Sequence, residues 1–91
     1  MPAPDPAQLP PASFDVLVQV TAAPAMVYLG LVANPATGKL EKNLAQARWH
    51  IDLLHVLEEK TRGALSAAEK ARVDQLLSQL RSAYTQQLTR G

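Results

Sequence analysis

One stretch of twenty residues, FDVLVQVTAAPAMVYLGLVA from Phe14 to Ala33, decides how this chain folds. Its single charge is Asp15, and no charged side chain occurs between Val16 and Gly38. Eleven of the twenty side chains are large and apolar or aromatic. Burying each of them contributes roughly 1.5–3 kcal/mol. The chain must therefore cover this stretch with protein or with lipid.

We predict that this stretch forms the first of three helices. Ser13 is a suitable N-cap, and Asp15 lies in the first turn, where a negative charge is favourable. The β-branched residues at its start would also suit a strand, but the Ala-rich continuation is too long for one strand. The sequence therefore predicts helix 1 over about residues 14–32. Pro24 should kink it, because proline lacks an N–H and clashes with the preceding turn.

Two amphipathic helices are predicted beyond the turn NPATGK. Helix 2 spans about residues 44–62, with Asn43 as its N-cap and one apolar stripe at helical spacing. Helix 3 spans about residues 67–88, because Ser66 and Glu69 form a capping box ahead of a second apolar stripe. The short connection between these helices predicts an antiparallel hairpin. The predicted fold class is all-α.

The first twelve residues hold five of the seven prolines. Residues 1–12 are therefore predicted to be a disordered Pro-rich tail, and residues 13–91 a single helical domain. A domain of this size supports only a marginal core. The chain has no cysteine, so disulfides cannot stabilise it. Oligomerisation is the remaining common means.

We predict a homo-oligomer, a homodimer or a multiple of it, with helix 1 buried in its shared core. The stripes of helices 2 and 3 must also cover each other, so one hairpin cannot enclose a helix that is apolar nearly all round. A two-fold interface is the commonest arrangement among homo-oligomers. The residues assigned to this interface are Phe14, Leu17, Val20, Thr21, Ala25, Tyr28 and Leu29.

The alternative is a membrane-associated protein whose residues 16–33 enter lipid. These eighteen positions reach the lower limit for a transmembrane span. Thr21 and Ala25 have the small-residue spacing found in membrane helix pairs. Pro24, Gln19 and the Ala-rich middle argue against a span. We therefore favour a soluble oligomer over this alternative.

No catalytic, cofactor or metal signature is recognisable in the sequence. Asp52, His55 and Glu59 lie at helical spacing and resemble half of a bundle metal site, but the other helices have few acids to complete it. The nine basic residues all lie within residues 39–91, where they are dispersed among six acids, which argues against nucleic acid as a partner. We expect a protein that is not an enzyme and binds no cofactor. Its expected partners are copies of itself and, as a second class, another protein.

The residues themselves resemble a known family. The segments FDVLVQVTAAPAMVYLGLVANPATGK, NLAQARWHIDLLHVLEEKTRGALSAAE and LLSQLRSAY are similar to DUF1844, a bacterial family of short proteins of unknown function. The similarity extends over about residues 12–85. It implies a bacterial, cytoplasmic protein and supplies no activity.

The segment LEEKTRG at the end of helix 2 allows two interpretations. Lys60 in the last turn and Gly63 after it are typical of a helix C-terminus. Glu58 stands four residues before Arg62, in the order that favours an ion pair. The same charges would also suit a contact surface for a partner. The residues assigned to that surface are Trp49, Glu58, Glu59 and Lys60, because tryptophan is enriched at interface hot spots.

Overall fold

A computed structural model describes residues 9–90. Helix α1 extends over Phe14–Tyr28, α2 over Leu44–Thr61 and α3 over Ala67–Arg90. A short 3-10 helix, Arg62–Ala64, joins α2 to α3. The predicted all-α fold of three helices is confirmed. Most of the predicted tail lies outside the described residues.

The predicted helix starts are confirmed by their capping hydrogen bonds. Ser13 and Asn43 each accept a hydrogen bond from the backbone N–H three residues ahead, at 3.2 and 3.1 Å. Ser66 and Glu69 form the reciprocal pair of a capping box: the N–H of Glu69 donates to the Ser66 hydroxyl at 3.1 Å, and the N–H of Ser66 to the Glu69 carboxylate at 2.9 Å. Each start is thus fixed by residues that are neighbours in sequence.

Helix α1 ends at Tyr28, about four residues before the predicted end, because of Gly30. This glycine has a φ of +78°, a backbone conformation that side chains disfavour. Its N–H donates to the carbonyl of Val27 at 3.0 Å, and the N–H of Leu31 donates to that of Met26 at 3.1 Å. This pair of bonds is the Schellman pattern of a helix C-terminus. The prediction was wrong here because the apolar pattern continues beyond the stop.

Helix α1 continues through Pro24 without a break. Proline removes the N–H that would pair with the carbonyl of Val20. Val20 lies on the exposed side of the helix, where water can take over that hydrogen bond. A helix through this proline is therefore confirmed, and the kink itself stays a prediction.

Helix α2 ends at Thr61, one residue before the predicted end, and Gly63 does not cap it in the predicted manner. Gly63 does not have a positive φ; it lies within the 3-10 helix that follows. The Thr61 hydroxyl donates to the carbonyl of Leu57 at 2.7 Å. Gly63 lies next to the end of the helix, as predicted. The helix, however, continues into a 3-10 turn and does not end at a residue with a left-handed backbone conformation.

Helix α2 packs against both other helices, which contact each other less. His55 of α2 lies beside Arg81 of α3, and Glu58 lies beside Lys70. Later residues of α2 thus meet earlier residues of α3, so the predicted antiparallel hairpin is confirmed. The buried apolar side chains form one stripe on each helix: Val18, Ala22 and Ala25, continued by Leu29; Ala47, Ile51 and Leu54; Val73, Leu77 and Leu80.

The described residues include no helix that is long and apolar enough to cross a membrane. Helix α1 has 15 residues, whereas a span needs about 20. Residues 16–33, the segment of the alternative prediction, are not a single helix, because α1 stops within them.

Replacing Gly30 by alanine should lower the free energy of unfolding by about 1–2 kcal/mol, because a Cβ is disfavoured at left-handed φ. The added Cβ would have room, since its nearest neighbour is the Cβ of Lys42 at 3.6 Å. Urea unfolding followed by circular dichroism measures the loss. Gly63→Ala is the matched control: its φ is not positive and its Cβ would meet nothing within 4 Å. Equal stability of Gly30→Ala and the wild type would contradict this account of the helix end.

Candidate interaction surfaces

The polar face of α2 that carries His55 is occupied by hydrogen bonds. The His55 Nε2 atom contacts the Glu59 carboxylate, and its Nδ1 atom lies 3.1 Å from Nη2 of Arg81. Asp52, the third residue of the rejected metal pattern, is not part of these contacts. No group of three or more metal-ligating side chains occurs within residues 9–90. This face therefore links α2 to α3 through side-chain pairs.

The first candidate surface is the side of α1 that faces away from the core. Leu17 is 48% exposed and Val20 is 65% exposed, although both belong to the most apolar stretch of the chain. Pro24 and Val27 continue the same face at helical spacing and are partly exposed. We refer to these four residues as the outer face of α1. One chain alone leaves this face without a covering helix.

A cleft of about 390 Å³ lies on the outer face of α1. Most of its lining residues belong to α1, and two belong to the loop that follows. The lining residues are Val20, Ala23, Pro24, Val27, Tyr28, Asn34 and Pro35.

The loop that joins α1 to α2 has a shape fixed by hydrogen bonds. At its base, an antiparallel bridge links Leu29 with Lys42. In the turn at residues 34–39, the N–H of Asn34 donates to the carbonyl of Lys39 at 2.8 Å. The Glu41 carboxylate accepts two further hydrogen bonds from side chains within the loop. Compact loops whose ends lie close together are frequently functional.

This loop also exposes large apolar side chains. Leu31 and Val32 lie on its outgoing half and Leu40 on its returning half, and all three are exposed. Both halves belong to the loop that the bridge between Leu29 and Lys42 closes at its base. We refer to these three residues as the loop tip. Two other residues of the same loop, Asn34 and Pro35, line the cleft on α1.

The structure divides the residues that the sequence assigned to an oligomer interface. Leu17 and Val20 are exposed, whereas Ala25 and Leu29 are fully buried within the single chain. The other three, Phe14, Thr21 and Tyr28, are partly buried. Sequence reasoning could not separate these groups, because α1 is apolar on both sides and only its contact with α2 decides which side is covered.

The second candidate surface lies on α2. Trp49, Leu53 and Val56 are exposed at positions i, i+4 and i+7, opposite the buried stripe of that helix. The rings of Trp49 and His50 form a T-shaped pair with their centroids 5.0 Å apart, and His50 stacks on Tyr28 at 5.5 Å. Sequence reasoning found Trp49 but not its two aliphatic neighbours, whose spacing suits a core stripe equally well.

Glu58, which the sequence assigned to the partner surface, is instead buried. It is 3% exposed, and within residues 9–89 no other charged side chain is buried. Nε and Nη2 of Arg62 donate to its two carboxylate oxygens at 3.0 and 2.8 Å. Nζ of Lys70 lies 3.8 Å from the same carboxylate and 2.6 Å from Asp74. The buried charge is therefore compensated by two cations, one from each end of the hairpin connection.

The hydrogen bond from Arg62 lowers the pKa of the Glu58 carboxyl from its ordinary value. Burial opposes this shift, while the positive charges of Arg62 and Lys70 reinforce it. Glu58 is thus ionised at neutral pH and ties the end of α2 to the start of α3. The ion-pair interpretation of LEEKTRG fits Glu58, whereas Glu59 and Lys60 are exposed and their contact with a partner stays a prediction.

Residues 11–86 match the model of a protein family described as a domain of unknown function, DUF1844. The match covers more than half of the chain, so the chain belongs to this family, and the predicted resemblance is confirmed. A search of curated proteins found no match, and neither did a search of solved structures. The matched segment contains α1, α2 and most of α3, and with them both candidate surfaces.

Glu58→Gln should destabilise the protein near pH 7, and its deficit relative to the wild type should shrink in acid. Because the folded-state pKa is lowered, ionised Glu58 stabilises the fold above the unfolded pKa of about 4.3. That contribution is lost as the pH falls through the folded-state pKa. Urea midpoints of both proteins, measured near pH 7 and at about pH 3, test the sign of the effect.

Glu59→Gln is the control for this prediction. It makes the same change at the neighbouring residue, whose side chain is 53% exposed, so it should have little effect at either pH. If the two variants lowered the urea midpoint equally at neutral pH, the structural role assigned to Glu58 would be wrong.

Proposed function

We propose that the protein is a small, non-catalytic interaction module that assembles with copies of itself through the outer face of α1. The observation that carries this proposal is the exposure of Leu17 and Val20 within the most apolar stretch of the chain. Monomeric proteins rarely expose large contiguous apolar patches, and such patches commonly mark interfaces. The loop tip enlarges the surface available for contact.

The energy available from covering this surface is substantial. Each large aliphatic side chain gives roughly 1.5–3 kcal/mol when it becomes fully buried. Five such side chains, on the outer face and the loop tip, are now between 44% and 66% exposed. Partial further burial of five aliphatic side chains on each of two copies therefore favours association by several kcal/mol, before the entropy of association is subtracted.

The charge distribution supports a second copy as the partner. Because no charge occurs between Val16 and Gly38, two copies can bring this stretch together without opposing like charges. The nearest acid, Asp15, already accepts two hydrogen bonds from Arg72 of α3, at 3.0 and 2.9 Å. A two-fold arrangement is the commonest one for such self-complementary surfaces.

A non-catalytic role is supported by the way the charged side chains are used. The charged groups around Glu58 pair with one another. A bacterial cytoplasmic location belongs to the same proposal, as does a contact between another protein and the α2 surface around Trp49, with Glu59 and Lys60.

The absolute mass in solution, measured by light scattering after size exclusion in detergent-free buffer, tests self-assembly. We expect a discrete dimer or a multiple of it. Leu17→Lys and Val20→Lys should each weaken assembly more than tenfold, because a lysine charge would be desolvated in an apolar contact. Both positions are exposed in the single chain, so circular dichroism should still report a folded helical protein.

Leu88→Lys and Val56→Lys are the matched controls. They make the same changes on α3 and α2, at residues that are 54% and 50% exposed and belong neither to the outer face nor to the loop tip, so both should assemble like the wild type. A monomeric wild type would contradict the proposal, as would full assembly of both α1 variants. Loss of assembly in Val56→Lys alone would move the interface to α2.

A further inference from the structure

We infer that two copies pair with their α1 helices antiparallel, each inserting Leu17 into the cleft on the partner's α1. The inference rests on the proposed self-assembly and specifies its geometry. It starts from the fact that one face of α1 carries both an exposed leucine and, one turn further on, a cleft.

The cleft has the form of a hole in helix–helix packing. Val20, Ala23, Pro24 and Val27 stand at positions i, i+3, i+4 and i+7. In knobs-into-holes packing, four residues at this spacing surround one side chain of the facing helix. Ala23 is small, which leaves depth beside the centre of the hole. The loop residues Asn34 and Pro35 line the same cleft.

Leu17 is the side chain on this face best suited to fill such a hole. It precedes Val20 by three residues and therefore lies on the same side of the helix. It is 48% exposed, so its own chain covers it only in part. A protruding leucine beside an open hole is a self-complementary pair, and a two-fold interface requires such reciprocity: if one residue contacts a second, the second contacts the first.

The positions of the leucine and the hole select the antiparallel orientation. In a parallel pair in register, Leu17 would face Leu17, and each hole would face the small residues of the other. In an antiparallel pair, Leu17 meets the centre of the hole between Ala23 and Pro24 when the two-fold axis passes near Val20. Both insertions then form at once. The opposed helix dipoles and the uncharged face fit this orientation.

Single-cysteine cross-linking tests the geometry, because the chain has no cysteine of its own. Val20→Cys lies beside the proposed axis and should form a covalent dimer with its own copy on mild oxidation. Val27→Cys lies on the same face, but its two copies would be about 20 Å apart along the helices, beyond the Cα separation of about 7 Å that a disulfide allows. It should not link to itself.

A mixed experiment gives an independent readout. Leu17→Cys and Ala23→Cys, one of them carrying a mass tag, should form a linked dimer containing one chain of each kind, and should link more slowly to themselves. Leu88→Cys measures the rate of random collision at an exposed residue. The mixed pair keeps the test decisive if Val20→Cys itself weakens assembly.

The outcomes separate this inference from the proposal on which it rests. Rapid self-linking of Val27→Cys would indicate a parallel pair and overturn the inference. A wild-type dimer in which all of these thiols link no faster than Leu88→Cys would place the interface elsewhere and also overturn it. A wild type that is monomeric by light scattering would instead overturn self-assembly itself.

Discussion

The left-handed conformation of Gly30 determines how the rest of the structure is arranged. By ending α1 at Tyr28, it divides a long apolar stretch into a helix and the first half of a loop. The loop returns through the bridge between Leu29 and Lys42, which sets the start of α2 beside the end of α1. Helix α2 then packs against one side of α1 and also packs against α3. The apolar side chains beyond the glycine, at the loop tip, are exposed as a result.

The central position of α2 explains why the outer face of α1 is exposed. One stripe of α2 must serve both neighbouring helices, so each neighbour is covered only along the side that faces it. For α3, whose opposite side is polar, this is sufficient. For α1, coverage of one side is not sufficient, because the opposite side carries the exposed residues Leu17 and Val20. The outer face of α1 is exposed because residues 9–90 of one small chain form only three α-helices. In the proposed assembly, a second chain covers this face.

Local features could be predicted from the sequence, and features set by packing could not. The three N-terminal caps, at Ser13, Asn43 and Ser66, depend on residues within one helical turn, so the pattern of residue types was enough. The end of α1 was predicted about four residues too late, because the apolar pattern continues beyond Gly30. The burial of Glu58 was missed because the sequence shows Arg62 as a partner but does not show that Lys70 of α3 lies beside the same carboxylate.

The hydrogen-bonded loop has a thermodynamic consequence for any complex that uses it. Flexible loops lose conformational entropy when a partner immobilises them, and this loss subtracts from affinity. Here the backbone pairing of Asn34 with Lys39, together with the hydrogen bonds that hold Glu41, fixes the loop within the single chain. The conformational entropy of the loop is therefore lost when the chain folds and not when it associates. In the proposed assembly, a modest apolar contact area is then sufficient for a specific complex, because the loop is ordered before association.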